Sequence, residues 1–232
     1  MNLKEVAGAL NINALKLVPT AVAAGRAVLL ESQKENGVAV VEMGAATTSV
    51  AIFMEGFLQY FGVINIGANH ITNDIAISLA VSTEVAEEIK MKYVTAELID
   101  SDKPMTMRFG DESISFTKTM VNQIVEDRLI DIFEHVKKEI AIAGYEKKLP
   151  EGVVLTGGGA EMRGIERFAR EHMEVATRIG LPLMDVTHID NETKKPRFAV
   201  AIGLALMMND DMREQETRVE EKPVGFLSKL FG

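Results

Sequence analysis

Val38-Ala39-Val40-Val41-Glu42-Met43-Gly44-Ala45-Ala46-Thr47-Thr48-Ser49-Val50-Ala51-Ile52-Phe53 sets two short apolar runs on either side of a small-residue turn. Glu55-Gly56 follows, then a third run from Phe57 to Ile66. Runs of this length punctuated by glycine read as β-strands, and Glu55-Gly56 suits a hairpin turn. The stretch therefore predicts a three-stranded meander. Beyond it, a helix is expected with Asn69 or Thr72 near its start and Ile71, Ile75, Ile77 and Leu79 buried. Thr83 to about Tyr93 reads as a second helix whose early acids, Glu87 and Glu88, suit the helix dipole. Residues 95 to 117 read as short strands and turns. From Phe116 to Ala143, Met120, Ile124, Leu129, Ile132, Phe133, Val136 and Ile140 recur at helical spacing, and Gly144 is a natural stop.

About a hundred residues after the first turn, Gly152-Val153-Val154-Leu155-Thr156 predicts a short buried strand ending in Gly157-Gly158-Gly159, with a helix from about Arg163 to Glu171. Strand, glycine turn and helix is the layout of a loop that contacts a phosphate or nucleoside, because glycine lets the backbone approach a ligand and a helix start offers free N–H groups. A plain tight turn has the same residues. Phe198 to Leu206 predicts a buried helix too short to span a bilayer. The polar stretch from Asn209 to Lys222 reads as a linker. In the closing residues, Phe226, Leu227, Leu230 and Phe231 fall within about 140° of a helical wheel while Ser228 and Lys229 point away. The segment 224–232 is thus expected to be a short amphipathic helix, with Lys222 and Lys229 able to meet anionic headgroups.

The 232 residues carry a net charge of -9, 47% hydrophobic residues and no cysteine. Disulfides and thiolate chemistry are excluded, and the acidic balance argues against a nucleic-acid partner, which would need clustered Lys and Arg. His70, His135, His172 and His188 show no close metal-ligand spacing. His70 reads as a capping or packing residue. No signal peptide or spanning segment is apparent, so a cytosolic protein is expected.

Three motifs in order resemble the actin-like ATPase superfamily, an α/β fold of the ribonuclease-H-like type. Val41 to Ala51 looks like its second phosphate loop, Gly152 to Ala160 like its adenosine motif, and Leu17-Val18-Pro19-Thr20-Ala21-Val22-Ala23-Ala24-Gly25 like its alanine-rich connecting helix. Ile64-Asn65-Ile66-Gly67-Ala68-Asn69-His70-Ile71-Thr72-Asn73-Asp74-Ile75-Ala76, followed by Ala86-Glu87-Glu88-Ile89-Lys90, is similar to the bacterial cell-division family FtsA. The resemblance implies ATP held by Gly44, Ala45, Ala46, Thr47, Thr48, Glu87, Lys90, Gly157, Gly158 and Gly159, with Glu42 toward Mg2+. It also implies self-association into actin-like filaments, binding to the tubulin-like division protein FtsZ, and a peripheral place on the inner face of the cell membrane. There Phe226, Leu227, Lys229, Leu230 and Phe231 would meet an anionic surface.

By this resemblance the chain covers mainly the second half of the family's fold. Residues 1–37 correspond to a remnant of the first half with its connecting helix, 38–82 and 150–208 to a core subdomain, 83–149 to an inserted small subdomain, 209–223 to a linker and 224–232 to the anchor. Each site assignment has a plainer alternative: a structural turn for the glycines, a solvated helix face for Glu87 and Lys90, β-propensity for Thr47 and Thr48, and a strand-end surface acid for Glu42. The chain also departs from the family. It has Glu42 and Gly44-Ala45-Ala46 where Asp and three glycines are usual, Ser49 where Asp is frequent, and Val18 where hydrolysing relatives place a residue that orients water. Phosphoryl transfer depends on such positioned groups, so weak or absent hydrolysis is expected. The alternatives are an active ATPase or sugar-kinase-type enzyme of the superfamily, and an adaptor of the pilus-assembly type.

Overall fold

The computed structural model describes residues 3–12, 16–97, 103–110, 112–183 and 193–220. Helices α1 (Leu3–Ala9), α2 (Thr20–Val28) and α3 (Glu31–Asn36) precede the meander β1 (Val38–Met43), β2 (Thr48–Met54) and β3 (Phe57–Ile64). Then come α4 (Ala68–Leu79), α5 (Thr83–Tyr93), the hairpin β4 (Pro104–Phe109) and β5 (Glu112–Thr117), and the long α6 (Lys118–Ile142). The chain continues through β6 (Val153–Thr156), α7 (Ile165–Met173), β7 (Thr177–Ile179) and α8 (Ala199–Glu220). Strand order is β3-β2-β1-β6-β7, antiparallel across β3, β2 and β1 and parallel across β1, β6 and β7.

Strand alternation divides the apolar side chains between two helical layers. Ala39, Val41 and Met43 of β1, Val50 and Ile52 of β2, and Val153 and Leu155 of β6 join the core with α4, α5, α6 and α7. Val38, Val40, Ala51, Phe53 and Val154 face the other way, onto α2 and α8. Every residue of β1 is buried, which is why Val38 to Val41 reads as an apolar run rather than an alternation, Glu42 being a buried exception. Phe133 of α6 is the bulkiest of the fully buried side chains and touches Phe168 of α7.

Some expectations need correction. Ile77 is 79% exposed because α4 turns only Ile71, Thr72, Ile75 and Ala76 inward. Met120, also expected inside, is exposed near the start of α6. The apolar run from Phe198 to Leu206 is not buried all round: Ala199, Ile202 and Gly203 face α2, whereas Leu204 is 43% exposed. Residues 209–220, expected as a linker, continue α8. Arg26 of α2 holds Asp210 at 2.9 Å and Lys16 approaches Asp211 at 3.5 Å, long-range ion pairs that the local polarity of this stretch does not reveal. The expected helix at 224–232 lies outside the described residues. Among the described residues no helix is long and apolar enough to cross a membrane.

Candidate functional site

Parallel neighbours β1 and β6 end side by side, and the turns that follow them form one wall of a cavity of about 630 Å³. Crevices at the carboxyl ends of parallel strands are the usual ligand sites of α/β sheets. In the first turn the Gly44 amide donates to Thr47 O (2.9 Å), while the Gly44 and Ala45 carbonyls accept from the amides of Ala68 (2.9 Å) and Asn69 (2.8 Å) at the start of α4. Those carbonyls therefore face the helix. The amides of Ala45 and Ala46 meet no acceptor among the described residues, and Ala45 lines the cavity. Gly67 makes the close approach possible, since a Cβ there would sit 2.6 Å from Ala45 O.

In the second turn, Gly157 has φ +86 and ψ 174, and its amide donates to Pro196 O at 3.1 Å. A Cβ on it would lie 2.6 Å from Met43 O, so this glycine seals the second turn against the first. Gly158 differs: a Cβ there would meet nothing within 4 Å. Gly158 and Gly159 line the cavity and Gly157 lies behind them.

The opposite wall comes from α5. Lys90 Nζ lies 2.6 Å from Glu87 Oε2 and donates to Thr72 Oγ1 (2.7 Å) and Ala68 O (3.2 Å). Thr72 Oγ1 donates to Glu87 Oε2 at 2.5 Å. The Glu87 carboxyl is held below the usual range: burial alone would raise it, but the hydrogen bonds from Lys90 and Thr72 and the Lys90 charge outweigh that. On the rim, Arg197 Nε donates to Glu161 Oε1 at 2.7 Å and holds that carboxyl low as well. The charged residues of the lining are Lys90, Lys92, Lys118, Arg163 and Arg197 against Glu87 and Glu161. Cations thus outnumber acids in the lining, although Lys90, Lys92, Arg163 and Arg197 are paired with Glu87, Glu88, Glu97 and Glu161 in turn.

Of the residues proposed from sequence, Gly44, Ala45, Glu87, Lys90, Gly158 and Gly159 meet around the cavity, while Ala46, Thr47, Thr48 and Gly157 do not line it. Thr48 is fully buried and its hydroxyl donates to Ile66 O at 2.8 Å, which leaves that hydroxyl engaged within the protein. His70 Nδ1 accepts from the Gly67 amide at 3.1 Å, the expected cap. Lys90, with only a tenth of its side chain exposed, is not on a solvated face. Glu42 is not a surface acid either: it is 7% exposed beneath both turns. Burial pushes its carboxyl up, and a hydrogen bond from Thr20 pulls it partly back. No group of three or more His, Asp or Glu residues that could hold a metal ion occurs among the described residues. Arg197 had no local signal in the sequence, since it reaches the cavity from outside the glycine and helix motifs, and Arg163 was read only as the start of the helix after the second turn. Phe226, Leu227, Lys229, Leu230 and Phe231 lie outside the described residues.

The profile of the family Cell division protein FtsA matches residues 39–203. Over 189 residues the chain is 34% identical to the cell division protein FtsA of Pseudomonas aeruginosa, covering 80% of this chain and 45% of that protein. Against the FtsA of Borreliella burgdorferi it is 34% identical over 206 residues, covering 85% of this chain and 49% of that one. The chain thus spans about half the length of these curated relatives. Among solved structures, MreB5 of Spiroplasma citri bound to ADP superposes with a TM-score of 0.72 at 17% identity, over 92% of this chain and 66% of that one. The PilM-PilN type IV pilus biogenesis complex gives 0.66 at 20% identity, over 87% and 57%. The fold is the expected actin-like α/β arrangement.

Proposed function

Because the chain belongs to the family of cell division protein FtsA, we propose that it is an ATP-binding adaptor of bacterial division that ties FtsZ to the cytoplasmic membrane and self-associates as actin-like proteins do. The observation that supports ATP binding is the cavity walled by the two strand-end turns, Ala45 among them, on one side and by Glu87 of α5 on the other. The ADP in the MreB5 structure belongs to that protein and bears on this chain only through the shared fold. In this reading Glu42, which lies beneath the two turns and does not itself line the cavity, would hold Mg2+ through water once phosphates occupy the cavity, and the metal would neutralise phosphate charge there. Burial disfavours an ionised Glu42 in the absence of such a cation.

Hydrolysis is weak or absent in this reading. The hydroxyls of Thr20 and Ser49 are hydrogen-bonded to each other at 3.1 Å, so at Ser49 a neutral hydroxyl stands where relatives often place a carboxylate. Glu161 is tied to Arg197, and Glu87 to Thr72 and Lys90, which leaves neither poised as a base for water.

Thermal unfolding tests the nucleotide. With MgATP at ten times its dissociation constant, binding to the folded state adds about 1.4 kcal/mol. At roughly 2–4 °C per kcal/mol for a domain of this size, the midpoint should rise by about 3–6 °C. An unchanged midpoint across millimolar MgATP would exclude ATP binding by this chain. Membrane attachment is tested separately, by sedimentation with anionic vesicles. The whole chain should pellet with them and a chain lacking residues 224–232 should remain in solution; equal pelleting of the two would remove the anchor.

A further inference from the structure

Asn122 lies near the start of α6 beside the buried Val121 and Val125 and is itself 5% exposed. Among the described residues neither its Oδ1 nor its Nδ2 meets a hydrogen-bonding group. Burying a side-chain amide without partners costs free energy that the neighbouring apolar contacts do not return, so an occupant beside it is to be expected. The side chain lines a small pocket between α6, α7 and the segment that leaves α5, completed by Thr95, Ala96, Glu97, Glu126 and Phe168. The pocket offers about 10 Å³ to the centre of a water molecule. That is room for about one water and too little for an organic ligand.

From this geometry we infer that Asn122 holds one internal water molecule, which bridges α6 to Thr95. A water can donate to an amide oxygen and accept from the nitrogen of the same amide, closing a ring, so one molecule satisfies both atoms of Asn122. Its second proton needs an acceptor. Thr95, 9% exposed, supplies one: its hydroxyl proton is committed to Glu97 O at 3.2 Å, which leaves Oγ1 lone pairs to accept. Three hydrogen bonds are the usual complement of a buried water. A metal cation fits worse, because it would bond Oδ1 and face the protons on Nδ2, and an anion would face Glu97 and Glu126. On its other side the segment that carries Thr95 is held by protein groups: the Ala96 amide donates to Arg163 O at 2.8 Å, and Glu97 lies 3.4 Å from Arg163 Nε. The water supplies the polar link toward α6. Thr95 also lines the large cavity, so the water sits behind that wall and ties it to α6. The inference goes beyond nucleotide binding and does not depend on it.

A crystal structure of the whole chain, at a resolution that shows ordered solvent, tests the site directly. One solvent peak should lie about 2.7–3.2 Å from Asn122 Oδ1, Asn122 Nδ2 and Thr95 Oγ1. An empty pocket overturns the proposal, as does a peak at the roughly 2.0–2.6 Å of a metal–oxygen bond. A peak that bonds Asn122 but not Thr95 overturns the bridge. In solution, thermal unfolding without nucleotide gives a second reading. Asn122→Leu and Thr95→Val should each lower the midpoint by about 3–6 °C, and the double variant by no more than the larger of the two, because both lose the same water. Thr95→Ser, which keeps the hydroxyl, should stay within about 2 °C of the wild type. A rise in Asn122→Leu would mean that the amide is dry and unpaired, and additive losses in the double variant would mean that the two side chains share nothing; either result overturns the bridge. Should Asn122→Leu not fold, the solvent peak in the wild type still decides.

Discussion

Gly203→Ala is expected to lower the midpoint of thermal unfolding by about 4–8 °C, although alanine is the better helix former. Residue 203 lies in α8 where it crosses α2, and a Cβ built there falls inside the van der Waals shell of the Ala23 carbonyl oxygen. The obstacle is helix backbone, so it cannot rotate aside as a side chain would. One helix must shift, and the layer formed by Ala21, Ala24, Ala27, Val28, Ala199 and Ile202 loses its fit to the sheet. Overpacking of this kind costs about 3 kcal/mol, and the gain in helix propensity returns about 1. The net loss of about 2 kcal/mol gives the stated shift. Gly8→Ala is the control. Residue 8 sits in α1, where a Cβ meets nothing within 4 Å and no residue of the helix is buried. There the midpoint should move by no more than about 2 °C, the effect of a surface change worth about 0.5 kcal/mol. Equal effects at the two positions would show that α2–α8 packing does not limit stability.

The α2–α8 contact also marks where sequence reading reached its limit. The meander was legible because β1, β2 and β3 are joined by short turns and their apolar runs are strand-length, so neighbours in sequence are neighbours in space. The same holds for α5 and α6, whose caps Ser82 and Thr117 each accept a bond from a backbone amide three residues on. Apolar periodicity says that a face exists but not what covers it. Ile77 fits the pattern of α4 and still faces out, because Ile71 and Ile75 already fill the space against α6 and the sheet. For α8, an all-apolar start suggested complete burial, although only α2 and the sheet are there to cover it. Its acidic second half looked like a linker because nothing local announces that Arg26, 184 positions earlier, holds Asp210.

The site divides along the same line. Glycine turns after strands are local signals, and both turns do meet at the cavity. Thr72 looked like a helix-start residue, since its partners on α5 are 15 and 18 positions away. Glu42 was readable as an acid at a strand end, but whether that end was wet depended on how Gly157 closes over it.

Substituting alanine at Gly157 and at Gly158 should separate a glycine needed by the fold from one needed by the ligand. At Gly157 the backbone occupies φ +86 and ψ 174, a region essentially restricted to glycine, where a side chain costs about 1–3 kcal/mol in strain. The new Cβ would also lie 2.6 Å from Met43 O and 2.8 Å from Glu42 Oε1, so it collides with the end of β1 and the buried carboxyl together. Gly157→Ala should therefore lose at least about 3 kcal/mol, a fall of about 6–12 °C in the ligand-free midpoint. The MgATP-induced rise should vanish with it, because the second turn can no longer seat against the first. At Gly158 the protein itself offers no obstacle, since nothing lies within 4 Å of the added atom. Its ligand-free midpoint should stay within about 2 °C of the wild type. If a nucleotide lies against this backbone, the methyl group occupies ligand space, and Gly158→Ala should abolish the MgATP-induced rise without destabilising the empty chain. A Gly158→Ala chain that keeps the full rise would place the nucleotide away from this turn. The cations of the rim would then have to hold the anion without the glycine backbone, and Gly158 would be a glycine by composition only.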